Sequence, residues 1–445
     1  MSAVLRRKAR QIVERLGEAG HQALFAGGCV RDMLRKEEPH DIDIATDATP
    51  DEVQELFEHT VAVGSRYGVV VVLLGDHQFE VATFRTEDGY ADGRHPEHVE
   101  FADAKADAER RDFTINGLFY SPIADDVLDY VNGQADLAAG VIRAIGNPHQ
   151  RFAEDALRLL RGIRFAARFG YTLDPATQAA IEAHAADIQR VSRERVREEL
   201  ARILTGPSPG QALELLRTTG LLHHILPEVE ATCGCDQPPE FHPEGDVFRH
   251  TCLCLDALGD HPSPELAFAV LLHDVGKPPT RSQAEGDRVR FNSHDKVSAD
   301  IAKSACERLR FSTAQAERIT SIVANHMKFM AVAQMRESTL KRFLREPHFA
   351  DFLELHRVDC TASHGDLTNY HFCRRKLEAL GEKDIRPPRL LTGDDLLDLG
   401  YLPGPLFSQM LTRVEDAQLE GEVADRDQAL ALIRAEFPRN RDVRR

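Results

Sequence analysis

The sequence predicts an α+β head that ends near residue 145, followed by a long and almost wholly helical remainder. Short apolar runs at 23–26, 69–74 and 79–84 have the length of strands, with helical patterns between them. The connections are too short for repeated crossovers, which favours a mixed sheet. From Pro148 onward helical patterns dominate, and they are interrupted by Gly- or Pro-containing breaks at 206–210, 234–245 and 384–388.

A chain of 445 residues is too long for a single hydrophobic core. The breaks divide it into four predicted domains. These are a mixed head at 1–145, a helical neck and body at 146–235, a helical domain at 246–375 and a helical tail at 385–445.

The elements of the head follow from its apolar pattern. A helix is predicted over 4–18, a strand over 23–26, renewed helical character over 30–35 and a strand over 41–45. Another helix starts at Thr49, with Pro50 at the first helical position and Glu52 completing a capping box.

Charge and composition restrict the class of protein. The formal charge is -17 and the isoelectric point is about 5.6, which by themselves oppose binding to nucleic acid. Arginines nevertheless concentrate in the middle of the chain, so the distribution of charge matters more than the sum. These residues are Arg143, Arg151, Arg158, Arg161, Arg164, Arg168, Arg193, Arg195, Arg197 and Arg202.

We expect a cytoplasmic protein without a membrane partner. No apolar run has the length of a membrane span, and the N-terminus lacks the apolar region of a signal peptide. The eight cysteines form no evident disulfide framework. Cys233 with Cys235, and Cys252 with Cys254, are C-x-C pairs rather than the C-x-x-C of zinc sites, so we expect reduced thiols.

Asp41 and Asp43 form the first candidate site. On a strand their side chains share one face, where two carboxylates repel each other unless a cation lies between them. Oxygen ligands suit Mg²⁺, and Glu80 on the later strand is a candidate third ligand. Phosphoryl and nucleotidyl transfer need such catalytic carboxylates. Alone, the D-x-D pattern is also typical of a solvated strand end.

Gly27 and Gly28 form a turn before a helix, where backbone N–H groups can approach a triphosphate. Arg31 would add a charge-assisted contact. The charged cluster at 110–116 runs directly into an apolar segment, and Arg111 and Asp112 are candidates to contact triphosphate and ribose. A structural salt bridge is the alternative interpretation of this cluster.

Asp155 and Arg158 are three residues apart, which makes them neighbours on a predicted helix. A carboxylate accepts from an exocyclic amine and a guanidinium donates to a ring acceptor, so the pair suits cytosine and adenine. Uracil and guanine present donor and acceptor in the reverse order on those edges. The pair would therefore reject them, and no template strand would be needed. An intrahelical ion pair is the alternative.

Four motifs, taken in order, resemble the class II tRNA nucleotidyltransferase and bacterial poly(A) polymerase superfamily: G-G-x-V-R-D, D-x-D, R-R-D-F-T-I-N and E-D-x-x-R-x-x-R. The resemblance implies a nucleotidyltransferase head followed by helical neck, body and tail domains. It implies metal ligands at Asp41 and Asp43, triphosphate contacts at Gly28, Arg31 and Arg111, and an amino-acid template at Asp155 and Arg158, with Arg161 and Arg164 nearby.

The expected reaction is template-independent addition of CCA, from CTP and ATP, to the 3′ end of tRNA. Residues 86–99 resemble the flexible loop that helps family members switch from CTP to ATP, although an ordinary surface loop has the same composition. An A-adding enzyme or a poly(A) polymerase is the alternative within the class. No long basic tail for binding arbitrary RNA ends is evident.

A second site resembles the HD phosphohydrolase signature. It comprises His250, then His273 and Asp274 followed by Val-Gly-Lys, then Asp359. Imidazoles and carboxylates from separate helices can enclose Mg²⁺ or a divalent transition metal and activate a water. Further candidates for a wider, dinuclear shell are His294 and His326. The alternatives are a retained fold without turnover, or a chain that acts chiefly as an HD phosphohydrolase.

Overall fold

The computed structural model describes residues 2–61, 68–88, 98–284 and 288–438. The chain forms two compact units. The first contains residues 1–230 with 308–311, and the second contains 231–307 with 312–445. The predicted fold class is confirmed, because a mixed sheet with helices occupies the beginning of the first unit and helices dominate the rest.

The head is organised around a seven-stranded sheet in the order β3-β4-β5-β2-β1-β8-β9. In this sheet β2 runs parallel to β5 and the other neighbouring pairs are antiparallel, while β6 and β7 form a separate ladder. The strands are β1 Ala23–Ala26, β2 Ile44–Thr46, β3 Thr60–Val61, β4 Val69–Leu74, β5 His77–Thr83, β6 Arg85–Asp88, β7 His98–Phe101, β8 Leu118–Ser121 and β9 Asp126–Asp129.

Apolar side chains pack on both faces of this sheet. Phe25 and Phe79 lie in one buried cluster, which also receives Ile12 and Leu16 from the first helix. Phe84 lies in the cluster on the other face. The predicted capping box at Thr49 is confirmed, and β4 and β5 are joined by a two-residue turn. The middle of the sheet is therefore buried, whereas Asp41 and Asp43, just before β2, are exposed to solvent.

Helices form the remainder of the first unit. They are α1 Ser2–Glu18, α2 Gly28–Leu34, α3 Pro50–Leu56, α4 Ala104–Glu109, α5 Gly133–Ala139, α6 Pro148–Glu154, α7 Leu157–Phe169, α8 Pro175–His184, α9 Arg193–Leu204, α10 Pro209–Thr218, α11 Leu221–Ile225 and α12 Pro227–Glu230. A short parallel ladder joins β10 Val141–Ile142 to β11 Thr172–Leu173. The predicted break at 206–210 is confirmed between α9 and α10.

The second unit is helical apart from one short hairpin. Its helices are α13 Val247–Asp256, α14 Pro264–Leu272, α15 Lys277–Thr280, α16 His294–Arg308, α17 Thr313–Asn325, α18 Glu337–Leu344, α19 Phe349–Ala362, α20 Thr368–Ala379, α21 Glu382–Ile385, α22 Gly393–Asp398, α23 Pro405–Glu420 and α24 Arg426–Glu436, and the hairpin strands are β12 Arg281–Ser282 and β13 Arg290–Phe291. Side-chain caps from Asp246, Ser263 and Ser312 fix the starts of α13, α14 and α17. No described helix is long and apolar enough to cross a membrane.

Three local predictions were wrong. Asp41 and Asp43 lie in the extended segment before β2 rather than on the strand, which begins at Ile44. The helix predicted through 154–164 is interrupted at Asp155, which ends α6 two residues before α7 begins. The ends of the predicted loop at 86–99 are strands that pair with each other, while residues 89–97 lie outside the described part of the chain.

Candidate functional sites

The carboxylates of the head are exposed and mutually repulsive. Asp41, Asp43 and Glu80 all face solvent, whereas the intervening Ile42 is buried, so the alternation of an extended chain is kept before β2 begins. Val81 pairs with Ile44, which places Glu80 beside Asp43. Reduced hydration, followed by the charges of Asp41 and Glu80, raises the pKa of Asp43 to about 6, and Arg111 opposes this shift. This oxygen donor set fits Mg²⁺, since a divalent cation would relieve the repulsion.

Gly27 brings Arg111 close to the turn. Its backbone φ of 70° belongs to the left-handed region, and a Cβ there would lie 2.7 Å from Nη1 of Arg111. The Arg111 guanidinium also donates to buried Asp107, which accepts from Arg110 as well. Burial alone would raise the pKa of Asp107, but Arg111 and Arg110 lower it. A helical conformation already begins at Gly28, so the turn itself is made by Gly27.

A buried polar chain connects the head to α7. Arg31, which is 5% exposed, donates from Nη1 to Asn116 Oδ1 at 2.6 Å. The amide of Asn116 donates to Asp112 Oδ1 at 3.0 Å, and Arg161 donates to Asp112 Oδ2 at 2.7 Å. Phe169 lies under the Arg31 guanidinium.

Asp112 therefore makes the salt bridge that was the alternative interpretation of this motif. It is 7% exposed, and both oxygens accept from protein groups. Burial opposes ionisation, yet Arg161 and the Asn116 hydrogen bond lower the pKa of Asp112 to about 2. The ribose contact expected for Asp112, and the triphosphate contacts expected for Arg31 and Arg111, stay predictions.

Asp155 and Arg158 do not form the intrahelical pair that was the alternative interpretation. Asp155 Oδ1 accepts from the backbone N–H of Leu157, and its Oδ2 accepts from Arg195 at 2.9 Å. Arg158 pairs with Glu154 at 2.6 Å and donates to the carbonyl of Arg110. The two side chains are thus oriented separately, one by α9 and the other by α6 and the head.

Among the residues near the predicted template, Arg164 pairs with a carboxylate of α9. Its Nε donates to Glu199 Oε1 at 2.5 Å, and Glu199 is 1% exposed on α9. Burial lowers the pKa of Arg164, and Glu199 counteracts this shift. Arg164 thus holds α7 against α9, while Arg161 holds α7 against the head.

In the second unit, four histidines present the same ring nitrogen to a common centre. Nδ1 of His250 is 2.7 Å from Glu244 Oε1, and Nδ1 of His273 is 2.7 Å from the carbonyl of Val270. The corresponding acceptors are the carbonyl of Phe291 for His294 and of Val323 for His326. In a neutral ring, donation from Nδ1 to these oxygens leaves Nε2 with its lone pair, which is the form that binds metals.

Asp274 lies between two groups of these donors. Its Oδ2 is 3.2 Å from Nε2 of His273, and its Oδ1 is 3.4 Å from Nε2 of His294. Lys277 approaches Oδ2 at 2.7 Å. Among the described residues, Asp274 Oδ1 and His273 Nε2 are buried atoms without a hydrogen bond.

Electrostatics keep Asp274 and His326 in the protonation states that bind metals, whereas for His250 burial lowers the pKa but Cys254 and Asp359 raise it well above its usual value. Burial opposes ionisation of Asp274, but His273 and Lys277 hold its pKa well below the usual range, and burial lowers the pKa of His326 to about 4. Asp359 Oδ1 lies 3.1 Å from Nε2 of His250. The buried, orphaned donors fit divalent metal ions.

Gly276 permits this convergence. A Cβ there would lie 2.5 Å from the carbonyl oxygen of His294, so only glycine lets the segment after Asp274 pass the start of α16. The Gly276 N–H donates to Ser298 Oγ on the same helix. The Val-Gly-Lys sequence therefore has a packing role beside its charge.

Three family models match consecutive parts of this chain. Residues 23–143 match the poly A polymerase head domain, 170–233 match the probable RNA and SrmB-binding site of polymerase A, and 247–348 match the HD domain. The predicted family resemblance is confirmed.

The curated relatives of this chain include CCA-adding enzymes. The CCA-adding enzyme of Bacillus subtilis (strain 168) is 46% identical over 220 residues, which are 49% of this chain and 55% of that protein. The CCA-adding enzyme of Limosilactobacillus reuteri (strain DSM 20016) is 42% identical over 217 residues, 48% of this chain and 54% of that protein. The chain spans about half the length of the curated relatives it matches.

Solved structures share the fold over nearly the whole chain. The Bacillus stearothermophilus CCA-adding enzyme in complex with CTP has a TM-score of 0.73 at 24% identity, covering 96% of this chain and 97% of that one. The Thermotoga maritima CCA-adding enzyme complexed with tRNA has a TM-score of 0.59 at 18% identity, covering 96% and 94%.

Sequence reasoning missed several partners in the poly(A) polymerase head domain, the neck and the HD domain. The residues are Asp107, Asn116, Glu154, Arg195, Glu199, Glu244 and Cys254. Some of these had a local signal: Glu154 lies within the E-D-x-x-R motif, Asn116 lies within R-R-D-F-T-I-N, and Cys254 follows His250 by one helical turn. Asp107 and Glu244 also lie within six residues of the groups they contact. Arg195 and Glu199 are distant in sequence from Asp155 and Arg164, so only the fold brings those pairs together.

Proposed function

We propose that the head and neck catalyse template-independent addition of C and A, from CTP and ATP, to the 3′ end of tRNA. The observation that carries this proposal is the carboxylate site beside Arg111, connected through Arg110 to Arg158. The charges of Asp41, Glu80 and Arg111 shift the pKa of Asp43. The backbone carbonyl of Arg110, the residue before Arg111, accepts a hydrogen bond from Arg158. Catalytic carboxylates and base-selecting side chains thus belong to one connected part of the first unit.

Asp41 and Asp43 would hold Mg²⁺, with Glu80 as a further oxygen ligand. Bound there, Mg²⁺ lowers the pKa of an attacking hydroxyl and neutralises a leaving pyrophosphate. Arg111 directs positive charge towards the turn at Gly27, where the triphosphate is expected. The phosphates would be bound by charge-assisted hydrogen bonds rather than by recognition of a base.

Asp155 and Arg158 would choose the base. The free lone pairs of Asp155 accept an exocyclic amine, and Arg158 donates to the adjacent ring nitrogen, which suits cytosine and adenine. Arg195 orients Asp155, and Glu154 orients Arg158. The relatives that are CCA-adding enzymes, and the similar solved structures of CCA-adding enzymes in complex with CTP, ATP or tRNA, support this assignment.

The test supplies each nucleoside triphosphate singly to two tRNAs, one lacking the whole CCA end and one lacking only the final A. We expect CTP alone to extend the first substrate by two residues and ATP alone to complete the second. Efficient A addition to the first substrate would indicate an A-adding enzyme. Tailing beyond the completed CCA would indicate a poly(A) polymerase.

We also infer a second activity, metal-dependent phosphohydrolysis in the HD domain, from the four aligned Nε2 atoms around Asp274. A cavity of about 480 Å³ reaches Asp274 and His294, and Phe241, Met330 and Lys277 lie along it. This size and lining suit a phosphate group carried on one nucleotide. Its substrates would be phosphomonoester or cyclic phosphate ends of RNA.

Hydrolysis of 2′,3′-cyclic and 3′-phosphate ends should be lost in His273→Ala, while nucleotide addition is kept. An intact hydrolysis rate in that variant would overturn the assignment. Absence of hydrolysis in the unmodified protein, across divalent metals, would indicate a retained fold without turnover.

A further inference from the structure

Cys254 lies inside one of the two donor groups of the HD domain. It follows His250 by one turn of α13, is 0% exposed, and places Sγ 3.3 Å from Nε2 of His250. The ligand atoms of His250, Cys254, His273 and Asp359 all lie within 4.8 Å of one another. The cluster therefore offers two imidazole nitrogens, one sulfur and one carboxylate oxygen.

The spacing of these donors is that of ligands around a single ion. Two ligands with bonds of about 2.0–2.3 Å and tetrahedral angles are separated by about 3.3–3.8 Å. The distance from His250 Nε2 to Cys254 Sγ is 3.3 Å, and that from the same Nε2 to Asp359 Oδ1 is 3.1 Å. The first distance lies at the lower end of this range and the second just below it, so one ion fits both with ligand angles somewhat smaller than tetrahedral.

A simple hydrogen bond between the thiol and His250 does not explain the cluster. Nδ1 of His250 faces Glu244, and Nε2 of the same ring faces both the Cys254 thiol and the Asp359 carboxylate. A doubly protonated ring would satisfy these contacts of His250, but His273 Nε2 would stay buried without a hydrogen bond. A cation shared by the four side chains gives His273 Nε2 a partner and takes the place of the second proton on His250.

We propose that Cys254 is a thiolate ligand of a transition-metal ion held together with His250, His273 and Asp359. Thiolate and imidazole donors favour Zn²⁺, Co²⁺ or Fe²⁺, whereas Mg²⁺ prefers oxygen. The inference concerns metal binding, so it stands whether or not the HD domain turns over a substrate. For Cys254 alone, it departs from the expectation, based on C-x-C spacing, that this pair of cysteines does not bind metal.

The full chain, stripped of metal, is titrated with Co²⁺ and followed by absorption. We expect a sulfur-to-cobalt charge-transfer band in the unmodified protein and its loss in Cys254→Ser, with affinity weakened at least about tenfold. Cys252→Ser is the matched control, since it alters a thiol on the same helix two residues away, and it should keep the band. Excess Mg²⁺ should not displace Co²⁺.

An unchanged band and affinity in Cys254→Ser would overturn the proposal, as would displacement by Mg²⁺ or no binding by the unmodified protein. A measurement without any variant guards against misfolding. X-ray absorption of the zinc-loaded full chain should show one sulfur at about 2.3 Å. A shell made only of nitrogen and oxygen would contradict the ligand role of Cys254.

Discussion

The two candidate metal sites of this chain hold their donors in opposite ways. In the head, Asp41, Asp43 and Glu80 are exposed carboxylates. Asp41 and Glu80 repel the charge of Asp43, and Arg111 offsets this repulsion only in part. In the HD domain, His273 and Asp274 are buried. The carbonyl of Val270 orients the His273 ring, and Lys277 orients the Asp274 carboxylate. Groups of three or more donor atoms within 4.8 Å, found among the described residues, all lie in the second unit.

The difference indicates how each site would use an ion. An open set of oxygens is completed by waters and by the phosphates of a substrate, as Mg²⁺ sites usually are. A closed set of buried nitrogen, oxygen and sulfur donors would hold its ion without a substrate. We therefore expect the head to bind metal together with nucleotide, and the HD domain to bind metal by itself.

The largest effect is expected from Asp41→Ala. Loss of one carboxylate removes several kcal/mol of stabilisation of developing charge, so nucleotide incorporation should fall at least about a thousandfold. Metal bound by the HD domain should stay unchanged, as measured by mass spectrometry of the purified protein. Asp51→Ala, which removes an exposed carboxylate from α3, is the control and should be active. Loss of both functions, or of neither, would contradict two separate sites.

Removal of metal should distinguish the sites through stability. An ion present at about a thousand times its dissociation constant stabilises the folded state by about 4 kcal/mol. After chelation, hydrogen exchange should therefore rise in α14 and α19 but not in β4 and β5. Zn²⁺ should restore protection and Mg²⁺ should not. Equal deprotection of the sheet would mean that the chelated ion also stabilises the head.

Arg161→Ala tests the buried connection between the head and α7. The substitution leaves Asp112 charged and without its partner, which should destabilise the first unit by about 3 kcal/mol. Arg168→Ala, at an exposed position of the same helix, should cost less than about 1 kcal/mol. Urea unfolding, monitored by hydrogen exchange in β1, measures the loss of stability in both variants. Similar losses in the two variants would show that Asp112 finds another partner.

Arg195→Ala tests the orientation of the base-selecting carboxylate. Without the contact at 2.9 Å, Asp155 should lose a charge-assisted hydrogen bond, and the preference for CTP over UTP should fall about tenfold. Single-turnover incorporation of each nucleotide gives the ratio. Arg193→Ala on the same helix is the control. If total activity falls while the ratio is kept, Arg195 acts on stability rather than on selection.

The sequence predicted the candidate residues of both sites, whose roles stay predictions, and it predicted two strands of the sheet with their bounds. Strand β1 and strand β4 have the predicted bounds, because each is a short apolar run between Gly-containing turns. The break at Asp155 was missed because apolar residues continue helically on both sides, while the carboxylate caps Leu157 locally. The partnership of Asp155 with Arg195 spans forty residues, and periodicity says nothing about contacts between helices.

The smallest effect concerns acid stability and follows from Asp112. Its pKa of about 2 lies below the ordinary 3.8, so the carboxylate contributes stability above pH 4 that is lost as pH falls through 2. Linkage gives a contribution of about 2 kcal/mol at neutral pH, of which about 1 kcal/mol is lost between pH 5 and pH 3. In Asp112→Asn the side chain has the same shape but does not titrate. Between pH 5 and pH 3 the unfolding free energy of this variant should therefore fall by about 1 kcal/mol less than that of the unmodified protein. Equal slopes in the two proteins would mean that the unfolded chain retains the contact with Arg161, because linkage depends only on the difference between the two states.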